Sequence, residues 1–419
     1  MDIDLLLKND KVCGCGKRHT VDIEKTIIES GAVDKLYELT EEYERVLLVS
    51  DSHTYKACGE QVKDLLGDKI ETNLVFECEG FLVPDEKAVE VLRSKISSDT
   101  DLVIGVGSGV INDLCKYVSF LSDLPYFIVA TAPSMDGYAS TGAAMIFKNM
   151  KVTFHARVPK AIIADTKVLK NAPSDLIKAG YGDIIGKYSA LNDWKLGHVV
   201  LNEYFCSEVY DLVMETTEKT VSLAAGLKDR KEDSIETLME ALVITGIAMS
   251  YVGNSRPASG SEHHFSHFFE VVGLLNNEPY LLHGIDVAFS AVETQKIREK
   301  LLNISKPSKF RIFDRNLWEE NIKRVYGKGA AEIIALQDKI GRYEQSLNEI
   351  YISKWEEIKS VLEEAPKSEQ IKGLLEDAGL NYEDFLNIYG KEKLADAYLY
   401  AKDCKDRYTV LWPYYSILG

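Results

Sequence analysis

The sequence predicts an α/β domain built on a Rossmann-like parallel sheet that binds a nucleotide, followed by an all-α domain. Three observations carry this. Short β-branched runs alternate with amphipathic stretches up to about residue 130, the pattern of strands joined by crossover helices. One of those strands runs straight into a glycine-rich turn that opens a helix. From about Ala172 the apolar spacing changes to a 3.6-residue period with few strand candidates. A length of 419 residues exceeds one ordinary core and suits two. The change of period near residues 165–175 sets the expected boundary, with domains over residues 1–170 and 171–419.

Taken in order, Val46–Ser50 reads as a strand ending at Asp51, and Tyr55–Leu66 as the helix after it. Asn73–Glu77 is the next strand and Asp85–Ser97 an amphipathic helix. Leu102–Gly105 is a third strand, leading through the glycine turn into the helix Asn112–Leu121. Tyr126–Ala130 is a fourth. Ligands on such a sheet bind at the carboxyl ends of its strands. In the second part Ser207–Leu227, Glu232–Tyr251 and Val287–Leu302 carry apolar residues at i, i+3, i+4 and i+7. Ala330–Lys359 reads as a further helical region, and Glu363–Asp403 as shorter helices separated by turns.

Composition is that of a globular protein, 46% hydrophobic and 27% charged. The net charge is −17, from 49 basic and 66 acidic residues. That balance lacks the electrostatic footprint of a nucleic-acid or anionic-membrane binder, so neither partner is expected. The N-terminus has no basic segment leading into an apolar one, so a secretory signal is not expected. The longest apolar stretch, Ala241–Val252, is too short to span a bilayer and reads as a buried helix. Seven scattered cysteines, an odd number, fit reduced thiols better than a disulfide framework. A cytoplasmic protein is the expectation.

The turn Gly105-Val106-Gly107-Ser108-Gly109 leads into Asn112, Asp113 and Lys116 at the start of a helix. Free backbone N–H groups and the helix dipole there favour a pyrophosphate. The spacing is not G-x-G-x-x-G, and a ligand-free tight turn would read the same way. Asp51, at a strand end, suits the diol of an adenosine ribose and would repel a 2′-phosphate, pointing to NAD more than NADP. Thr131, Ser134, Asp136 and Ser140 lie in a loop of small polar side chains straight off the fourth strand. Such a loop can hydrogen-bond a carboxamide or a polyol, although its composition alone fits a generic polar connection better.

The densest cluster is Ser255–His267, where His263, His264 and His267 are three of the eight His in the chain, with His283 soon after. On a helix His263 and His267 share a face, while His264 is turned about 100° away. Two imidazoles and a carboxylate make a catalytic metal set with one position open for substrate. Asp183, between apolar neighbours, is a carboxylate that needs a partner, although a helix N-cap would explain it as well. Cys13-Gly14-Cys15-Gly16-Lys17-Arg18-His19 has the outline of a metal hook. Two thiols and one His lack a fourth ligand, so a β-hairpin is expected there.

These segments, with Gly180–Trp194, Leu282-His283-Gly284 and Arg407–Trp412, resemble the glycerol-1-phosphate dehydrogenases, especially the bacterial ones. That family stands within the superfamily of iron-type alcohol dehydrogenases, glycerol dehydrogenase and dehydroquinate synthase. Pro-Ser-Met-Asp-Gly-Tyr-Ala-Ser and Arg-Pro-Ala-Ser-Gly-Ser-Glu-His carry the resemblance most specifically. It implies a dehydroquinate synthase-like fold whose helical domain binds metal and substrate. It implies Asp183, His263 and His283 as metal ligands, and His267 beside nicotinamide and substrate. Gly107, Ser108, Gly109 and Asp113 would match the pyrophosphate turn, Thr131 and Ser134 cofactor contacts, and Asp136 the acid near the substrate hydroxyls. Val106 departs from the superfamily, much of which has a further glycine there.

The reaction implied is the reversible reduction of dihydroxyacetone phosphate to sn-glycerol-1-phosphate with NAD, NADP being possible. One divalent ion, zinc or nickel with iron or manganese as alternatives, would polarise the C2 oxygen. His267 would relay the proton, and Arg256 and Lys187 are candidates for the substrate phosphate. The family's members imply a homo-oligomer, a dimer being expected. The competing readings are a glycerol dehydrogenase and a sugar-phosphate cyclase of the dehydroquinate synthase type.

Overall fold

In the computed structural model, which describes all residues except Met1, Glu79, Phe81, Lys148 and Asn149, the apolar runs of the first part form one parallel sheet. Its strands are β1 (Lys25–Glu29), β2 (Val46–Asp51), β3 (Ile70–Phe76), β4 (Leu102–Gly107), β5 (Tyr126–Ala130) and β8 (Ala161–Asp165). Their order is β1-β8-β5-β4-β2-β3. The remaining strands, β6 (Gly142–Phe147) and β7 (Met150–His155), make a separate antiparallel pair. β4 and β5 are buried along their whole length, which is why they read as continuous apolar runs rather than alternating ones. Val46, Leu48, Ile104, Val129 and Ile163 pack with Val62 and Leu66 in one core. Full burial of each such side chain contributes roughly 1.5–3 kcal/mol.

The strand order changes direction at β2, which pairs β3 on one side and β4 on the other. The crevice beyond the carboxyl ends of β2 and β4 is therefore the topological switch point of the sheet, the place where such folds bind nucleotides. Asp51 ends β2 and Gly107 ends β4, so both expected cofactor residues flank that crevice.

Three helices matter for the first part. α1 (Glu86–Arg93) is capped by the Asp85 carboxylate, which accepts from Ala88 N–H. α2 (Gly109–Leu121) starts directly out of the glycine turn. α3 (Ser174–Ile185) follows β8. The structure places β1 and β8 where no strand was expected. Both are short, and β8, Ala-Ile-Ile-Ala-Asp, falls at the expected change of period.

The second part is helical, including α4 (Lys187–Leu201), α5 (Glu232–Val252), α6 (Ser261–Asn276) and α7 (His283–Leu302). α5 is long and apolar enough to cross a membrane, yet 78% of its apolar window is buried in the protein. It packs on β1 and on the 3-10 turn Gly137–Ala139. A helix apolar nearly all round is the kind a core encloses. The region Ala330–Lys359 is broken, not continuous. Its first helix stops at Ile340, because Gly341 turns left-handed at φ 64°.

Two compact units result, one of residues Met1–Ile184 with Glu218–Ser255, the other of Ile185–Thr217 with Arg256–Gly419. The chain thus passes between them at 184/185, 217/218 and 255/256.

Candidate active site

The glycine turn owes its shape to close packing of α2 on β4. A Cβ at Gly107 would meet Ile111 at 2.6 Å, and one at Gly105 would meet Cys115 Sγ at 2.9 Å. Those two glycines make room for the helix that follows. Val106 points into the sheet core, so the departure there leaves the turn unaltered. Gly109 and Ser108 are half-buried, at the mouth of the turn, with the N-terminus of α2 behind them.

Asp113 does not face outward. Its Oδ1 receives Lys116 Nζ at 3.3 Å and its Oδ2 accepts the N–H of Ala144 on β6 at 3.0 Å. Lys116 is fully buried and donates to the carbonyls of Gly137 and Gly142 at 2.8 and 2.9 Å. Ser140 Oγ donates to the same two carbonyls, at 3.1 and 3.3 Å. Asp113, Lys116 and Ser140 thus fix the loop after β5 from within. Burial lowers the Lys116 pKa, and the Asp113 charge and hydrogen bond oppose that shift. Nothing in the spacing of the glycine turn marks Lys116 for this role.

The loop itself joins the glycine turn through Thr131 N–H, which donates to Gly107 O at 3.1 Å. Thr131, Ser134 and Asp136 are all buried within it. Asp136 N–H donates to Asp183 Oδ2 at 3.1 Å. Asp183 is fully buried in the last turn of α3 and is no N-cap. Asp51 uses its Oδ1 to cap the helical turn after β2, accepting from His53 and Thr54 N–H at 2.9 and 2.8 Å.

In the helical unit His263, His267 and His283 converge. Their ring centroids lie 5.1 Å apart for His263 and His283, 5.5 Å for His267 and His283, and 5.9 Å for His263 and His267. His263 is on the first turn of α6 and His283 opens α7, and these two helices pack together. His263 Nδ1 lies 2.7 Å from Glu262 Oε1, and His283 Nδ1 lies 3.2 Å from Ser266 Oγ. An acceptor at Nδ1 commits the proton there, the way in which a metal-ligating His is oriented through its other nitrogen. Burial pushes the Glu262 carboxyl up, but the hydrogen bonds from His263 and Gly260 N–H and the Lys187 charge hold it below its ordinary range.

His264 is the exception the helical period predicts. It is buried away from the other three, and neither ring nitrogen has a hydrogen-bond partner among the described residues. Burial, then the charges of Arg407, Lys405 and Arg256, keep it neutral.

The start of α6 is held by residues that spacing did not single out. Ser261 N–H donates to Asp193 Oδ2 at 2.6 Å, and Arg298 pairs with Asp193 Oδ1 at 2.9 Å, both side chains buried. Arg256 is engaged with Glu203 and with Tyr408 O, and Lys187 donates to Ala258 O at 3.0 Å.

A parallel sheet with its switch point at a glycine turn, and an imidazole cluster on two helix starts, are the parts from which a nucleotide-linked dehydrogenase is built. Residues 27–173 match the family of iron-containing alcohol dehydrogenases. A glycerol-1-phosphate dehydrogenase [NAD(P)+] from Geobacillus thermodenitrificans is 33% identical over 344 residues, 79% of this chain and 84% of that protein. The one from Bacillus subtilis is 28% identical over 403 residues, 93% and 91% of the two chains. Among solved structures, an archaeal halo-thermophilic Red Sea brine pool alcohol dehydrogenase superimposes with a TM-score of 0.62, covering 95% of this chain and 98% of that one, at 15% identity. That last likeness shows the fold. The chain belongs to the glycerol-1-phosphate dehydrogenase family, and it is an oxidoreductase.

Proposed function

We propose that this chain catalyses the reversible NAD(P)-linked reduction of dihydroxyacetone phosphate to sn-glycerol-1-phosphate. The observation that carries the reading is the pair His263 and His283, whose ligand atoms lie within 4.8 Å of each other with their other ring nitrogens already engaged. We assign Asp183 as the third ligand of a divalent ion. Two imidazoles and a carboxylate fit zinc or nickel, and suit iron or manganese as well. When bound, the ion supplies Lewis acidity at the C2 oxygen of the substrate.

The chain's own residues do the rest. Glu262 orients His263, and Ser266 orients His283. His267, stacked on His283 and half-buried, holds or delivers the proton of the C2 oxygen. Asp136 holds the substrate hydroxyls. Gly107, Ser108, Gly109 and the start of α2 take the pyrophosphate, with Asp113 and Ser140 acting through the loop they fix. Thr131 and Ser134 meet the nicotinamide end. Asp51 takes the ribose diol and favours NAD, NADP being accepted less well. Residues 1–170 carry the cofactor and residues 171–419 the metal and substrate. We assign a cytoplasmic homodimer with small molecules as its ligands.

The test is NADH oxidation by the purified protein with dihydroxyacetone phosphate, with chelator and with added zinc or nickel. Oxidation that chelator abolishes and metal restores is expected. Faster turnover of glycerol than of the phosphate ester would overturn the substrate assignment.

A further inference from the structure

His283 opens α7 at a helix start with little local support. Its N-cap, Leu282, makes no side-chain capping bond, and Gly284, a poor helix former, follows at once. The segment before it, residues 277–282, leaves α6 through Asn277 at φ 56° and is exposed as far as Tyr280. A functional side chain must be held within about 0.5 Å of its productive position. The hold on His283 therefore has to come from elsewhere in the fold.

Two side chains supply it. Ser266 Oγ, on α6, lies 3.2 Å from His283 Nδ1. The other is Tyr389, in the helical segment Tyr382–Tyr400. Its hydroxyl accepts from Leu281 N–H at 3.0 Å and donates to Asp286, whose Oδ1 and Oδ2 lie 2.7 and 2.9 Å away. Leu281 precedes His283 and Asp286 follows it, so one hydroxyl ties together the two sides of the imidazole. Burial first and the Asp286 charge second raise the Tyr389 pKa, so the hydroxyl keeps the proton it donates.

The tie is itself anchored. The Tyr389 ring stacks on Phe269 of α6, with centroids 4.0 Å apart and planes at 14°, and meets Phe385 edge-on at 5.2 Å. Phe269, Phe385 and Asp286 are fully buried. Directly after Tyr389 the helical run breaks at Gly390, φ 68°, a conformation glycine takes without strain. Lys393, just beyond, pairs with Glu278 in the segment that leads to His283. Every residue of this arrangement belongs to the second compact unit.

With His283 taken as a metal ligand on the reading above, we propose that Tyr389 is its positioning residue. The hydroxyl fixes the span Leu281–Asp286, and with it the imidazole, so metal affinity depends on a group outside the ligand set.

The full chain, stripped of metal by chelator, is titrated with zinc against a coloured chelator. Tyr389→Phe keeps the ring and its stack on Phe269 and removes only the hydroxyl. It is expected to bind zinc about 10- to 100-fold more weakly. The visible bands of the cobalt-loaded protein, which report the geometry of the ligand shell, are expected to shift with it. Tyr398→Phe removes a hydroxyl from the same helical segment, one that donates to Glu293 at 2.6 Å, and should leave affinity and bands unchanged. Equal losses in the two variants would mean a general loosening of the helical unit and overturn the positioning role. Linkage requires zinc to strengthen the tie as much as the tie strengthens zinc binding. In the wild-type protein zinc should therefore slow exchange of the Leu281 amide by a like factor. That measurement decides the matter should Tyr389→Phe not fold, and an unchanged rate overturns the role. His283→Ala is expected to lose zinc from this site. Zinc retained there overturns the ligand assignment and the positioning role with it. Loss in His283→Ala beside wild-type affinity in Tyr389→Phe overturns the positioning role alone.

Discussion

Glu262 touches neither substrate nor cofactor in the scheme above, yet the orientation of His263 depends on it. Glu262→Gln should weaken metal binding about 10- to 100-fold with little change in stability, measured by competition against a coloured chelator. His263→Ala should abolish both stoichiometric metal at that site and turnover. A variant that stays active with metal bound would remove His263 from the ligand set. Lys116→Met leaves the Asp113 carboxylate without its buried cation and the two loop carbonyls with Ser140 Oγ but not the ammonium as donor. A loss of about 3 kcal/mol in urea unfolding is expected. The Cys58 thiol is pushed up from 9.0 to about 12, by burial first and by the Asp165 charge second. The unfolded thiol ionises near its ordinary value while the native one keeps its proton. The stabilisation is thus complete below about pH 9 and is lost as pH rises toward 12, at roughly 1.4 kcal/mol per pH unit. Stability measured from pH 9 to 11 should fall less steeply in Cys58→Ala than in the wild-type protein.

At the scale of elements, legibility followed burial. β2, β4 and β5 are central strands buried on both faces, and their apolar runs announced them. β1 and β8 lie at or beside the sheet edge and carry few large residues, so nothing in their composition separated them from loop. Helix ends were less legible than helices. α7 begins at His283 rather than Val287, because its first turn, His283-Gly284-Ile285-Asp286, offers a single large apolar residue to the helical period. The imidazole cluster was legible because i and i+4 on a helix share a face. Its supports, Asp193 and Arg298, were not, since they meet only in the folded chain. Contact between α3 and the loop after β5 offers a direct test of element packing. A Cβ on Gly180 would sit 1.8 Å from Pro133 O, a backbone atom that cannot rotate away. Gly180→Ala should therefore destabilise by more than the 1–3 kcal/mol of ordinary overpacking and reduce turnover with it, read from urea unfolding and steady-state rates.

The whole molecule is organised by its three passages between units. Because α5 belongs with the sheet unit although it follows the start of the helical one, ending the chain at residue 170 omits part of what packs on β1 and on the loop after β5. Such a fragment should lack a cooperative thermal transition, whereas the full chain should show one, and calorimetry would decide. The same threading carries a consequence for biosynthesis. The N-terminal unit cannot be completed until residue 255 has left the ribosome, by which time residues 185–217 of its neighbour have already emerged. A nascent chain of this protein must therefore keep an unfinished sheet from aggregating for longer than simple N-to-C domain order requires. Its dependence on chaperones should rise with any slowing of translation before that point.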